Sequence, residues 1–96
     1  MQELTEEQFY NKFLSGDKAI IVIGATWCAT CKMLTKTLLE KGVDFFKVDV
    51  DNVSEFAVTN QVRSLPTTIL LDGDFNLVIG STVKAVDSII KFANSK

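Results

Sequence analysis

The run Ala19-Ile20-Ile21-Val22-Ile23 constrains this chain more than any other stretch. Four of its five residues are β-branched and none is polar. Such side chains are stiff in a helix but pack well on a pleated surface. A strand with one wet face alternates apolar and polar residues, and this one does not. It therefore reads as a strand buried on both faces, at the centre of a parallel sheet with helices above and below.

The remaining sequence supplies those helices. Thr5-Glu6-Glu7-Gln8 is a helix start in which Thr5 caps the turn and Gln8 reaches back to it. Phe9 and Phe13 follow at i, i+4 with Leu14 beside them, which predicts a short helix over 5–14 ended by Gly16-Asp17. Leu34, Leu38 and Leu39 recur at helical spacing up to Gly42, a suitable C-cap, which predicts a helix over 29–41. Phe45 to Val50 alternates into a second strand, with Lys47 and Asp49 interleaved. Asp51-Asn52 caps a weak third helix through Val53, Phe56, Ala57 and Asn60. Pro66 precedes the strand Thr67–Leu71, Asp72-Gly73-Asp74 signals a hairpin, and Leu77-Val78-Ile79 forms the returning strand. Val83, Val86, Ile89, Ile90 and Ala93 fall on one face of a last helix. The expected order is α-βαβαββα, an α/β fold with a mixed four-stranded sheet. Its first crossover is right-handed, and a single domain spans 1–96.

Composition narrows the function. The chain is 47% apolar and 23% charged, as a soluble domain with a sizeable core would be. Its formal charge of −2 lacks the basic footprint of a nucleic-acid binder. The longest apolar stretch, Ala19 to Ala25, is far short of the roughly 20 residues that cross a bilayer. The acidic start Met1-Gln2-Glu3-Leu4-Thr5-Glu6-Glu7 is unlike a signal peptide, so a cytoplasmic protein is expected. Histidine is absent, which excludes a Cys-His pair, a Ser-His-Asp triad and any imidazole metal site. With two cysteines alone, a structural zinc would need two carboxylates or a second chain, so no metal is expected.

Chemistry therefore falls to Trp27-Cys28-Ala29-Thr30-Cys31, at the junction of the central strand and its helix. The first turn of a helix carries unpaired N–H groups and the positive end of the helix dipole. A thiolate there is stabilised and more of it is ionised near neutral pH. The i, i+3 spacing brings both sulfurs to one helical face, close enough for a disulfide. Cys28 at the exposed tip is then the attacking thiolate, and Cys31 tucked behind it is the resolving thiol. Free cysteine is also a common buried apolar residue, so the alternative is a pair that merely packs. A C-x-x-C at a βαβ junction in a cytosolic-looking chain favours redox chemistry.

At this point the chain resembles the thioredoxin family, from about Ala19 to the C-terminus. Trp27 through Met33 is similar to the family's Trp-Cys-x-x-Cys-Lys-Met string, and Lys47-Val48-Asp49-Val50-Asp51 to its second core strand. Arg63-Ser64-Leu65-Pro66-Thr67 resembles the segment that holds the family's cis-proline, and Val78-Ile79-Gly80 its substrate-loop glycine. The resemblance implies a thioredoxin fold whose extra first strand is shortened or missing here. It implies that Pro66 is cis and packs on the cysteine pair. It further implies that the Leu65 backbone faces outward to pair with a substrate strand, and that Trp27 and Gly80 flank that groove. Glutaredoxins usually carry Pro-Tyr between the cysteines; Trp27 before the pair and Gly80-Ser81-Thr82 after the hairpin favour the thioredoxin side.

Departures from the pattern carry expectations of their own. Val22 occupies the position of the family's buried aspartate, the proton acceptor for the resolving cysteine. Lys47 matches that aspartate's partner, so resolution of the mixed disulfide is expected to be slower than usual. Ala29-Thr30 replaces the common Gly-Pro. Thr30 restores an N–H near the Cys28 sulfur and adds a hydroxyl, which favours the thiolate and a more oxidising couple. Gly24 stands where a large aromatic is frequent, and Lys36 where a proline kinks the helix.

The function expected is thiol–disulfide exchange that reduces protein disulfides. No bound cofactor is expected; the resemblance implies that a thioredoxin reductase-like partner supplies the electrons, and the protein is expected to be a monomer. Two other readings remain: a thioredoxin-fold binding module or accessory subunit using Trp27, Leu65 and Gly80, and a metal or iron–sulfur cluster bridged between two chains.

Overall fold

The computed structural model describes residues 1–95. The elements are β1 (Gln2–Glu3), α1 (Glu6–Ser15), β2 (Ala19–Gly24), α2 (Ala29–Glu40) and β3 (Phe46–Asp49). A 3-10 turn (Val50–Val53), α3 (Ser54–Thr59), β4 (Thr67–Asp72), β5 (Asp74–Ile79) and α4 (Val83–Asn94) complete the order. The sheet has five strands in the order β1-β3-β2-β4-β5, so the two-residue β1 adds an edge to the four strands expected. Gln2 and Glu3 pair in parallel with Phe46 and Lys47.

β2 lies at the centre and every one of its residues is buried. It runs parallel to β3, with Val22 opposite Lys47, and antiparallel to β4, with Val22 opposite Thr68. Alternation divides its side chains between two cores. Ile21 and Ile23 meet Phe9 of α1, Val53 and Phe56 on one face, while Ile20 and Val22 meet Leu34 and Leu38 of α2 and Ile89 of α4 on the other. The result is a three-layer α/β/α sandwich with helices on both faces.

Local chemistry explains the element ends. Thr5 Oγ1 accepts from the Gln8 N–H at 3.2 Å and the Thr5 N–H donates to Gln8 Oε1 at 2.9 Å, a reciprocal capping box. Gly16 then closes α1 at φ 73°, a left-handed conformation that glycine adopts without a Cβ clash. Thr82 Oγ1 caps α4 by accepting from the Ala85 N–H at 3.2 Å.

Several details depart from the expectations. Leu14, Leu39 and Val83 are exposed although each extends an apolar helical pattern. Each lies past the edge of its helix's buried stripe. β5 starts at Asp74 rather than near Leu77, because Phe75 pairs with Leu71 and its ring packs against Phe13 and Phe56. A 3-10 turn precedes α3, and the Asp49 carboxylate accepts from the Asp51 N–H at 2.9 Å to open it. No helix among the described residues is long and apolar enough to cross a membrane.

One buried polar atom is orphaned. Thr68 is 0% exposed, and its Oγ1 has no hydrogen-bond partner among the described residues. A buried hydroxyl without a partner costs roughly 1–3 kcal/mol. Thr68→Val keeps the shape and removes the hydroxyl, so it is expected to raise unfolding stability by about 1 kcal/mol. Urea denaturation checks this; an unchanged or lower midpoint would show that the hydroxyl is satisfied in solution.

Candidate active site

β2 delivers the chain to the site. Beyond Gly24, Ala25-Thr26-Trp27 leads to Cys28, whose extended backbone (φ −91°, ψ 106°) makes it the N-cap of α2. Its N–H donates to the Ala25 carbonyl at 3.1 Å. Its Sγ accepts from the Cys31 N–H at 3.2 Å, so a sulfur occupies the place where a serine or aspartate oxygen usually caps a helix. Cys28 and Cys31 are joined by a disulfide, with Cα atoms 5.3 Å apart.

The exposed-tip contrast between the two sulfurs is smaller than the sequence implies. Cys31 is the deeper at 3% exposed, but Cys28 is only 7% exposed. Ala25 joins the pair in one buried cluster, and Val50 and Leu65 pack over it. These covering groups come from remote loops.

Thr30 touches both the pair and the facing loop. Its Oγ1 lies 3.3 Å from Cys28 Sγ and 3.4 Å from the Leu65 carbonyl oxygen, to which it donates. The N–H bonded to the Cys28 sulfur belongs to Cys31; Thr30 reaches that sulfur through its hydroxyl. The Leu65–Pro66 peptide bond is cis. Pro66 is buried and Leu65 half-buried. The Pro66 carbonyl accepts from the Gly80 N–H at 2.8 Å, which ties the end of β5 to this loop. Gly80 has φ 88°, a backbone conformation that favours glycine.

A groove of about 580 Å³ runs beside the disulfide. Trp27, Cys28, Thr30 and Leu65 line it together with Ala29, Val50, Val62 and Arg63. Trp27 stands 76% exposed at its rim, which settles its position against a core role. Gly80 and Lys47 do not line the groove. Gly80 sits behind Pro66, and half-buried Lys47 lies on β3 beside Val22. Val50, Val62 and Arg63 line the groove although the sequence reading gives none of them a role there. The signal that could have found them was nearness: Val50 directly follows the strand carrying Lys47, and Val62 and Arg63 stand within three residues of Leu65. Among the described residues, no three His, Cys, Asp or Glu side chains gather closely enough to hold a metal ion.

The thioredoxin family model matches residues 1–95. The chain belongs to the thioredoxin family. It is 35% identical over 92 residues to thioredoxin-2 of Saccharomyces cerevisiae, covering 86% of this chain and 88% of that protein. It is 36% identical over 92 residues to the bifunctional thioredoxin reductase/thioredoxin of Mycobacterium leprae, spanning 86% of this chain and 20% of that longer protein. Among solved structures it resembles the oxidised form of mitochondrial thioredoxin 3 from Saccharomyces cerevisiae. That match has a TM-score of 0.72 and 35% identity, and covers 95% of this chain and 93% of the other. This thioredoxin is a thiol–disulfide oxidoreductase that reduces protein disulfides through the Cys28–Cys31 pair.

Gly24 has a structural reason in this site. A Cβ built there would meet Cys31 Cβ and Sγ, each at 3.2 Å, so the glycine lets α2 lie against the β2 backbone. Cys31 Cβ is fixed by the helix and cannot swing aside. Gly24→Ala is expected to destabilise the oxidised protein by about 1–3 kcal/mol, the usual cost of overpacking. Thermal unfolding without reductant tests this, and an unaltered transition would mean that the helix yields freely.

Proposed function

We propose that Cys28 is the attacking residue and Cys31 the resolving one. The observation that carries this assignment is the Cys28 sulfur at the helix N-cap on the groove, with Cys31 deeper behind it. In the reduced protein, the Cys28 thiolate attacks one sulfur of a substrate disulfide and expels the other as a thiolate. Cys31, once deprotonated, attacks Cys28 Sγ and expels the remaining substrate sulfur. Two electrons and two protons pass from the dithiol to the substrate, and the Cys28–Cys31 disulfide forms.

Substrate polypeptide lies along the groove in this reading. It pairs with the outward Leu65 backbone as an added strand, and Trp27 covers it from the opposite rim. Pro66 and Gly80 hold that loop in place through the bond between them. Thr30 supports the Cys28 sulfur through its hydroxyl, and Lys47 lends a cation behind the pair, beside Val22. No prosthetic group takes part. A reductase of the thioredoxin-reductase kind returns two electrons to the disulfide, a pairing that the fused relative in Mycobacterium leprae supports. The protein works as a monomer in a reducing compartment such as the cytoplasm, where a dithiol of this kind is kept reduced.

Serine replacements separate the two cysteines. Cys28→Ser is expected to reduce insulin-disulfide reduction by at least about 100-fold, because a hydroxyl is not a thiolate nucleophile. Cys31→Ser is expected to accumulate a covalent mixed disulfide with substrate, visible as a mass increase that dithiothreitol removes. Sustained turnover by the Cys28 variant, or trapping at Cys31 instead, would overturn the assignment.

A further inference from the structure

The contacts of Thr30 reach beyond support of one sulfur. A threonine hydroxyl carries one proton and so donates one hydrogen bond at a time. In the oxidised protein neither sulfur of the Cys28–Cys31 disulfide has a hydrogen, so where Thr30 meets Cys28 Sγ, 3.3 Å away, and the Leu65 carbonyl, 3.4 Å away, the hydroxyl is the donor to either. A neutral disulfide sulfur is the weaker acceptor of the two, and the proton belongs to Leu65. Reduction reverses that order. A Cys28 thiolate carries a full negative charge, and a hydrogen bond to an ionised acceptor is about twice as strong as a neutral one. The hydroxyl rotor alone redirects the proton, with no backbone movement.

We propose that the Thr30 hydroxyl is a redox-linked positioning group that donates to the Leu65 carbonyl in the oxidised protein and to the Cys28 thiolate in the reduced one. Reduction therefore frees a main-chain acceptor on the loop beside the groove at the moment when substrate is to be engaged. Oxidation returns the hydroxyl to that carbonyl and weakens the hold on the product strand. This inference rests on the proposed substrate strand at Leu65. Ala29, the other residue between the cysteines, has no side-chain donor, and Leu65 lies 35 positions away from Thr30, so the link exists only in the folded chain.

The test compares wild-type protein, Thr30→Val, which keeps the shape without the hydroxyl, and Thr30→Ser, which keeps the hydroxyl. The first readout is the carbonyl ¹³C NMR shift of Leu65 in the oxidised and reduced states. Wild type and Thr30→Ser are expected to show a clear redox-dependent change, and Thr30→Val at most about half of it. The second is the rate at which iodoacetamide labels Cys28 in reduced protein at pH 7. Thr30→Val is expected to react at least about tenfold more slowly, near the lower end of the effect of one hydrogen bond to an ionised group, and Thr30→Ser at close to the wild-type rate. A Leu65 response in Thr30→Val equal to wild type overturns the proposal, as does an unchanged labelling rate or a failure of serine to replace threonine. Any of these with insulin reduction still dependent on Cys28 removes the Thr30 link and leaves the thiol chemistry standing. Insulin reduction by Cys28→Ser removes the thiol chemistry itself.

Discussion

The hydrogen bond from the Cys31 N–H to Cys28 Sγ joins folding to chemistry in this protein. It begins α2, fixes where the first sulfur stands, and sets the second sulfur one turn behind it. Oxygen caps helices more often than sulfur does, so the helix alone does not demand cysteine at position 28. Redox exchange demands it. The same unpaired N–H groups that donate to a cap also stabilise negative charge at that end. A residue that satisfies the helix start is therefore placed where a thiolate is favoured, and β2 aims it. With both faces of β2 buried and both edges paired, its last residue has little freedom, and the short segment to Cys28 inherits that rigidity.

The parts of the fold legible in the sequence are those decided locally. The reciprocal bonds of Thr5 and Gln8, the β-branched run of β2, the glycine at the hairpin and the apolar stripe of α4 each depend on residues within a turn or a strand of one another. β1 is the part that the family resemblance leaves shortened or missing; its two residues carry no periodicity of their own, and it forms along the edge of β3, which is distant in sequence. Leu14, Leu39 and Val83 misled in the other direction. A helical pattern specifies which residues share a stripe, while the width of the stripe that is covered depends on the neighbouring layer.

Within the site, the cysteine pair was readable from spacing and position alone. The cover over Cys28 was not, because Val50 and Leu65 arrive from the end of β3 and from the loop before β4. That cover changes the picture of an open sulfur at a helix tip into one of a nearly closed sulfur beside a groove. The groove beside that sulfur is bordered by Trp27 and Leu65. The roles of Gly80 and Trp27 part company for the same reason. Trp27 stands free at the rim, whereas Gly80 acts on the loop through a main-chain bond to Pro66.

Across the sheet, Lys47, Val22 and Thr68 stand side by side on three adjacent strands. Val22 is fully buried in the core beneath α2, where an ionised carboxylate would have to be desolvated at considerable cost. With valine there that cost is absent, and the remaining polarity on the row is a neutral hydroxyl on one side and a half-buried ammonium on the other. The sheet beneath α2 is accordingly apolar at the centre of this row. Donors that touch the reactive sulfur come instead from the helix start and from Thr30, on the groove side of the disulfide. These donors lie at the surface end of the sheet, where the Thr30 hydroxyl reaches both the Cys28 sulfur and the Leu65 carbonyl of the loop that faces it.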